Sequence, residues 1–163
     1  MGTAMDVAGL GWKENDIGEI DHRLLRAPAI KLRGVHQGGA GDWVFCIDLR
    51  LARPNAGGGL STTQLHSLEH FLLEGLQRRL GEHFISLGVM GCQTGFYLVL
   101  LNEGRYTVVA DALARTLAAV ITAKTVPYAR IDQCGNYRNH DLEQAQRLAA
   151  ELLAARASWQ EVT

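Results

Sequence analysis

A chain of 163 residues, 47% of them hydrophobic and 20% charged, has enough apolar material for one packed core without help from disulfides. Sixteen basic residues against seventeen acidic ones leave a net charge of −1, and the Arg are scattered, which excludes nucleic acid or an anionic membrane surface as the main partner. No apolar run reaches the roughly 18 residues of a membrane span, Met1 to Asn15 lacks the pattern of a secretory signal, and three Cys, an odd number, argue against a disulfide framework; the expectation is a soluble protein of the cytoplasm.

Residues 1–15 are Gly- and Ala-rich at their start and are expected to form a flexible N-terminus, with a single domain over 16–163. From Trp43 to Leu51 apolar residues alternate with Val44, Cys46, Asp48 and Arg50, and this period of two predicts a strand with one face in the core. Cys46 within it reads as a small buried hydrophobe. Arg53 to Gly59, with Pro54, Asn55 and three consecutive glycines, predicts a loop. Ser61, Thr62 and Thr63 are N-cap candidates for a helix running to Leu80, since Leu65, Leu68, Leu72 and Leu76 recur at helical spacing. Phe84–Val89 and Phe96–Leu101 read as strands on either side of the turn-like Met90-Gly91-Cys92-Gln93-Thr94-Gly95. Two further helices are predicted. One spans Thr107 to Thr122, with Val109, Leu113, Thr116, Leu117 and Val120 on one side; the other begins at a cap pair of Asp141 and Gln144 and carries Leu142, Ala145, Leu148 and Leu152. Hairpin-like strands with separate helices predict a single-domain α+β fold, a mainly antiparallel sheet packed with helices.

His66-Ser67-Leu68-Glu69-His70 carries the chemistry. Side chains at i and i+4 leave the same helix face about 6 Å apart, so two imidazoles placed there can share one metal ion. Glu69 follows His66 by three residues and leans over the same site, free to move protons on whatever the metal binds. The order is the reverse of HExxH. Two surface histidines on one helix are the bland alternative. A third ligand is required, with one position left open for substrate. Cys134, in Gln133-Cys134-Gly135-Asn136-Tyr137, and Cys92 both stand in loops near a glycine, and the spacing alone leaves both open. His36 and His83 read as surface or loop residues, His140 as a residue flanking the last helix, and Glu74 with Arg78 as a surface ion pair.

Taken together, His66-Ser67-Leu68-Glu69-His70, Met90-Gly91-Cys92-Gln93-Thr94-Gly95 and Cys134-Gly135-Asn136-Tyr137-Arg138 resemble the LuxS family, the S-ribosylhomocysteine lyases. So do Asp21-His22 followed by Ala27-Pro28, and Asp48-Leu49-Arg50 followed by Pro54-Asn55. The resemblance covers the chain from about Glu19 to Leu152. It implies a catalytic domain that forms a homodimer with active sites at the subunit interface, acting on a small-molecule substrate. It assigns one divalent metal ion per subunit, Fe(II) with Zn(II) or Co(II) able to take its place, to His66, His70 and Cys134. Cys92 and Glu69 become the acid/base pair, and His22 and Arg50 match residues near the sugar hydroxyls. The implied reaction moves a sugar carbonyl by proton transfers and then eliminates homocysteine from the thioether, which leaves the precursor of the quorum-sensing signal autoinducer-2.

The pattern departs from the family at two places. Ile17-Gly18 stand where a Ser-Phe pair is usual, and Ser86-Leu87-Gly88-Val89 replace an Asp-containing stretch ahead of Met90. Losing a charged contact to the substrate's ammonium group weakens binding by roughly 1.5–3 kcal/mol, about ten- to a hundredfold. A LuxS-like isomerase or lyase working on another thioether or sugar-like carbonyl compound is therefore the competing expectation. A metalloprotease of the HxxEH type is disfavoured by a Cys ligand. A non-catalytic metal-binding dimer is disfavoured by the presence of both Glu69 and Cys92.

Overall fold

The computed structural model describes residues 5–163 and orders its main elements as β1 (Ala29–Gln37), β2 (Trp43–Arg50), α1 (Thr62–Leu80), β3 (Phe84–Val89), β4 (Gly95–Leu101), α2 (Tyr106–Thr122) and α3 (Leu142–Ala154). The strands form one sheet in the order β1-β2-β4-β3, every pair antiparallel. The fold is α+β, and a single apolar cluster joins the sheet to all three helices.

The alternation in β2 sets the layering. Phe45, Ile47 and Leu49 are buried and lie opposite Leu100, Leu98 and Phe96 of β4, and these six side chains form the sheet's inner face. Leu68, Leu72 and Leu76 of α1 and Val109, Leu113 and Leu117 of α2 close over it. Helix α1 starts where its sequence says it should. The Ser61 hydroxyl accepts the Gln64 N–H at 3.1 Å, and the Gln64 side chain accepts the Ser61 N–H at 2.9 Å, a complete capping box. Asp141 caps α3 through the Gln144 N–H at 2.9 Å.

Strand β1 has no counterpart in the sequence reading. Ile30 and Leu32 alternate with Lys31 and Arg33 for only four residues before Gly34, and the register with β2 slips between Leu32 and Gly34. The outer face of the sheet also departs from a simple alternation. Asp48 and Arg50, which the period of two would leave in solvent, are each only 3% exposed, and Lys31 beside them is 5% exposed.

Of residues 1–15, read as flexible, 1–4 lie outside the described residues. Trp12 is buried, and its indole N–H donates to the Gly104 carbonyl at 2.6 Å.

Candidate metal centre and reactive thiol

Helix geometry brings His66 and His70 to one face, their rings 4.8 Å apart and perpendicular at 88°. Each ring is held from behind. His66 Nδ1 lies 3.0 Å from the Asn139 carbonyl and His70 Nδ1 lies 2.7 Å from the Pro127 carbonyl. A carbonyl can only accept, so each Nδ1 carries the proton and donates it. Each Nε2 is then left with a free lone pair, the tautomer a metal ligand needs.

The segment after α2 supplies the rest. The Cys134 N–H donates to the Arg130 carbonyl at 2.9 Å, which sets the loop, and Cys134 Sγ stands 3.3 Å from His66 Nε2. Nitrogen and sulfur bound to one tetrahedral ion at about 2.0 and 2.3 Å are roughly 3.5 Å apart, so the pair is spaced as two ligands of one ion. Ligand atoms of His66, His70, Cys134 and His140 all lie within 4.8 Å of one another. Two nitrogens and a sulfur around one small space suit Fe(II), Zn(II) or Co(II) and do not suit Mg(II) or Ca(II). Cys134, and not Cys92, is the cysteine that joins the histidines.

His140 is the residue the sequence reading missed. Far from merely flanking α3, it stacks on His66 with ring centroids 4.0 Å apart at 29°, and its Nε2 is 3.6 Å from Cys134 Sγ. Burial, then the neighbouring His66 and His70 rings, push His140 down to about 4. Its only sequence signal was its place six residues after Cys134, which spacing does not distinguish from helix capping. An open groove of about 710 Å³ has His140, Pro127 and Arg130 on its wall.

Cys92 belongs to a second group. The Gln93 N–H donates to the Met90 carbonyl at 2.9 Å and closes a turn with Gly91 and Cys92 at its tip. The turn is tied down by Leu60, whose N–H donates to the Gln93 carbonyl at 2.8 Å. Gly59, at φ +75°, lets that strand of chain approach, because a Cβ there would sit 2.6 Å from the same carbonyl oxygen. The Cys92 thiol is exposed. Its sulfur lies 3.0 Å from Thr94 Oγ1 and 3.8 Å from Arg50 Nη1. Arg50 Nη1 donates to Thr94 Oγ1 at 2.6 Å, which frees the threonine's own proton for the sulfur. Partial burial pushes the Cys92 thiol up, but the hydrogen bonds from Thr94 and then the Arg50 charge outweigh it and hold the thiol below its ordinary value. Arg50 is in turn clamped by Asp48 at 2.6 Å through Nη2.

Other expected residues are placed as follows. Glu69 is half-buried on α1 between the two histidines in sequence, and it makes no hydrogen bond or ion pair among the described residues. His22 is exposed, with Nδ1 3.2 Å from the Ile20 carbonyl. Ile17 packs partly against the core, and Ser86 is exposed opposite Val99. His83 Nδ1–H donates to the Leu101 carbonyl at 2.8 Å, and Glu74 pairs with Arg78. All three cysteines are free.

Two imidazoles with committed Nδ1 protons and a thiol beside them define an α+β protein with a cluster that could hold a transition-metal ion, and Cys92 adds a thiol whose thiolate form its neighbours favour. The comparisons agree with that class. A family model described as S-ribosylhomocysteinase (LuxS) matches residues 18–163. The S-ribosylhomocysteine lyase of Halobacillus halophilus is 42% identical over 143 residues, covering 88% of this chain and 93% of that protein. That of Chromohalobacter salexigens is 41% identical, over 88% and 91%, and one from Helicobacter pylori is 39% identical, over 88% and 91%. The chain belongs to the S-ribosylhomocysteinase (LuxS) family.

Proposed function

We propose that this protein is a metal-dependent carbon–sulfur lyase acting on S-ribosylhomocysteine, with His66, His70 and Cys134 as metal ligands and Cys92 and Glu69 as the acid/base pair. The observation that carries the reading is the orientation of the two imidazoles, each with its Nδ1 proton given to a carbonyl, in a cluster whose ligand atoms, the Cys134 sulfur included, lie within 4.8 Å of one another. When bound there, a divalent ion, Fe(II) or in its place Zn(II) or Co(II), supplies Lewis-acid polarisation of the sugar carbonyl.

The protein's own residues do the proton work. The Cys92 thiolate, favoured by Thr94 and Arg50, takes the proton from the carbon beside the carbonyl and, as the thiol, returns it to the former carbonyl carbon, while the hydroxyl proton passes to the former carbonyl oxygen. Repeating the transfer moves the carbonyl along the chain. The Glu69 carboxylate then takes the proton α to the carbonyl, the carbon–sulfur bond breaks, and homocysteine leaves with the electron pair and is protonated. His22 and Arg50 are the candidates for contact with the sugar hydroxyls.

No hydrogen bond joins the Cys92 group to the metal-ligand group among the described residues. The outer face of the sheet carries half-buried Val44, Cys46, Tyr97, Val99 and Leu101, while the helices pack their apolar residues into the cluster on the inner face. Both facts support a homodimer in which a second copy meets that face and each active site lies at the interface. Light scattering on the purified protein should give twice the chain mass; a monomer at micromolar concentration would sink this part. Among the described residues no helix is long and apolar enough to cross a membrane, and three free thiols suit the reducing cytoplasm.

The test is thiol release from S-ribosylhomocysteine by Fe(II)- or Co(II)-loaded protein. Release is expected, and Cys92→Ala should keep the metal and lose turnover. A Cys92→Ala protein that still turns over at the wild-type rate refutes the acid/base assignment. The exposed, uncharged Ser86 favours one second reading, a related thioether without the homocysteine ammonium group. Turnover confined to S-ribosylhomocysteine in a substrate panel would exclude it.

A further inference from the structure

Four ligand-type side chains surround the metal-ligand space, yet a lyase site needs one position open. The ring geometry separates His140 from His66, although against His70 it stands edge-on, with centroids 4.5 Å apart at 64°. Two imidazoles bound to one ion through Nε2 at about 2.1 Å and near-tetrahedral angles hold their centroids roughly 5 Å apart. His66 and His70, at 4.8 Å and 88°, fit that arrangement. His140 lies only 4.0 Å from His66 and almost parallel to it at 29°, which is a stacked ring and not a second corner of the same tetrahedron.

The hydrogen bonds point the same way. Ser67 is fully buried, and its hydroxyl oxygen already accepts the Asp141 N–H at 2.9 Å. Its own proton is therefore available to His140 Nδ1, 3.5 Å away. If Nδ1 accepts, the neutral ring carries its proton on Nε2, and a protonated nitrogen cannot bind a metal. That nitrogen faces Cys134 Sγ at 3.6 Å. The sulfur also receives the Asn136 N–H at 3.4 Å.

We propose that His140 is a positioning residue of the metal centre: through Nε2–H it donates a hydrogen bond to the Cys134 sulfur, and it does not ligate the ion. The inference rests on the metal reading above. Ser67 fixes the tautomer, so α1 supplies both two ligands and the device that orients a group behind the third. A thiolate that receives two N–H donors would give less charge to a bound ion and leave it the stronger Lewis acid, and a His140 that does not ligate would leave the fourth position free.

The test loads wild type, His140→Ala, His140→Gln and His66→Ala with Co(II) or Zn(II). It reads metal affinity by chelator competition, the sulfur-to-Co(II) charge-transfer band, and the number of bound imidazoles by X-ray absorption. Wild type should bind one ion per chain through two imidazoles and one sulfur. His140→Ala should keep that set, bind about 10- to 100-fold more weakly, and move the charge-transfer band to longer wavelength. His140→Gln, which keeps an N–H donor, should recover much of both. Three imidazoles in wild type and two in His140→Ala would make His140 a ligand and overturn the proposal. Wild-type affinity with an unmoved band in His140→Ala would overturn it too. Wild type that holds no more metal than His66→Ala would defeat the metal reading itself, and this inference with it.

Discussion

The Asp48→Asn/Arg50→Gln double substitution tests the charge that stabilises the Cys92 thiolate. Removing Arg50 alone would leave the Asp48 carboxylate buried and unpaired, a loss that costs roughly 3–5 kcal/mol and risks the fold. The double variant replaces the ion pair with two neutral amides of similar size. The guanidinium stands 3.8 Å from the Cys92 sulfur. At that separation a full charge pair is worth about 1 kcal/mol in water and roughly 4 kcal/mol at an effective dielectric of 20. Because the thiol is exposed, solvent screening keeps the effect near the lower figure. With about 1.4 kcal/mol for each pH unit, the thiol's midpoint should rise by about one unit. The sign follows from charge: the thiolate is the form Arg50 favours, so its loss moves thiolate formation to higher pH. The assay is alkylation of Cys92 by iodoacetamide across pH, followed on the Cys92 peptide by mass spectrometry to separate it from Cys46 and Cys134. At neutral pH the double variant should react several-fold more slowly, with both proteins converging at high pH. An unmoved midpoint in a folded double variant would refute the electrostatic reasoning and leave Thr94 as the sole support of the thiolate.

Two other perturbations probe the metal and the fold. With free Zn(II) at about a hundred times its dissociation constant, binding to the native state alone adds roughly 2.7 kcal/mol, which raises the melting temperature by about 5–10 °C for a chain of this size; identical melting with and without a chelator would count against the site. Gly95→Ala should destabilise the protein by about 2 kcal/mol, since the new Cβ would run into the Leu49 carbonyl oxygen of the neighbouring strand, and denaturant unfolding would show no change if the strands can part there.

Local periodicity decided much in advance. An apolar residue every third or fourth position fixes a helix face, so Leu65, Leu68, Leu72 and Leu76 located α1, and the same geometry placed His66 and His70 side by side. The alternation from Trp43 placed Phe45, Ile47 and Leu49 in the core. Caps at Ser61 and Asp141 were legible because they act over three residues.

What the chain could not show was whatever depends on partners distant in sequence. Strand β1 is held by its register with β2, and its own alternation over Ile30 to Arg33 is cut short at Gly34, too brief to announce a nine-residue strand. Asp48 and Arg50 look like solvent-facing residues, and only pairing with each other inside the fold lets both be buried. Spacing alone left the third ligand open between Cys92 and Cys134, and only the family resemblance pointed to Cys134. The tertiary structure favours Cys134, because it carries that residue to 3.3 Å from a histidine 68 residues earlier and leaves Cys92 beside Arg50. His140 joined the cluster for the same reason: Ser67, 73 residues away, reaches it only when α1 and the segment before α3 pack together. A helix sets its own geometry through neighbours a few residues away, whereas a metal-ligand set is assembled by the packing of segments that no local spacing records.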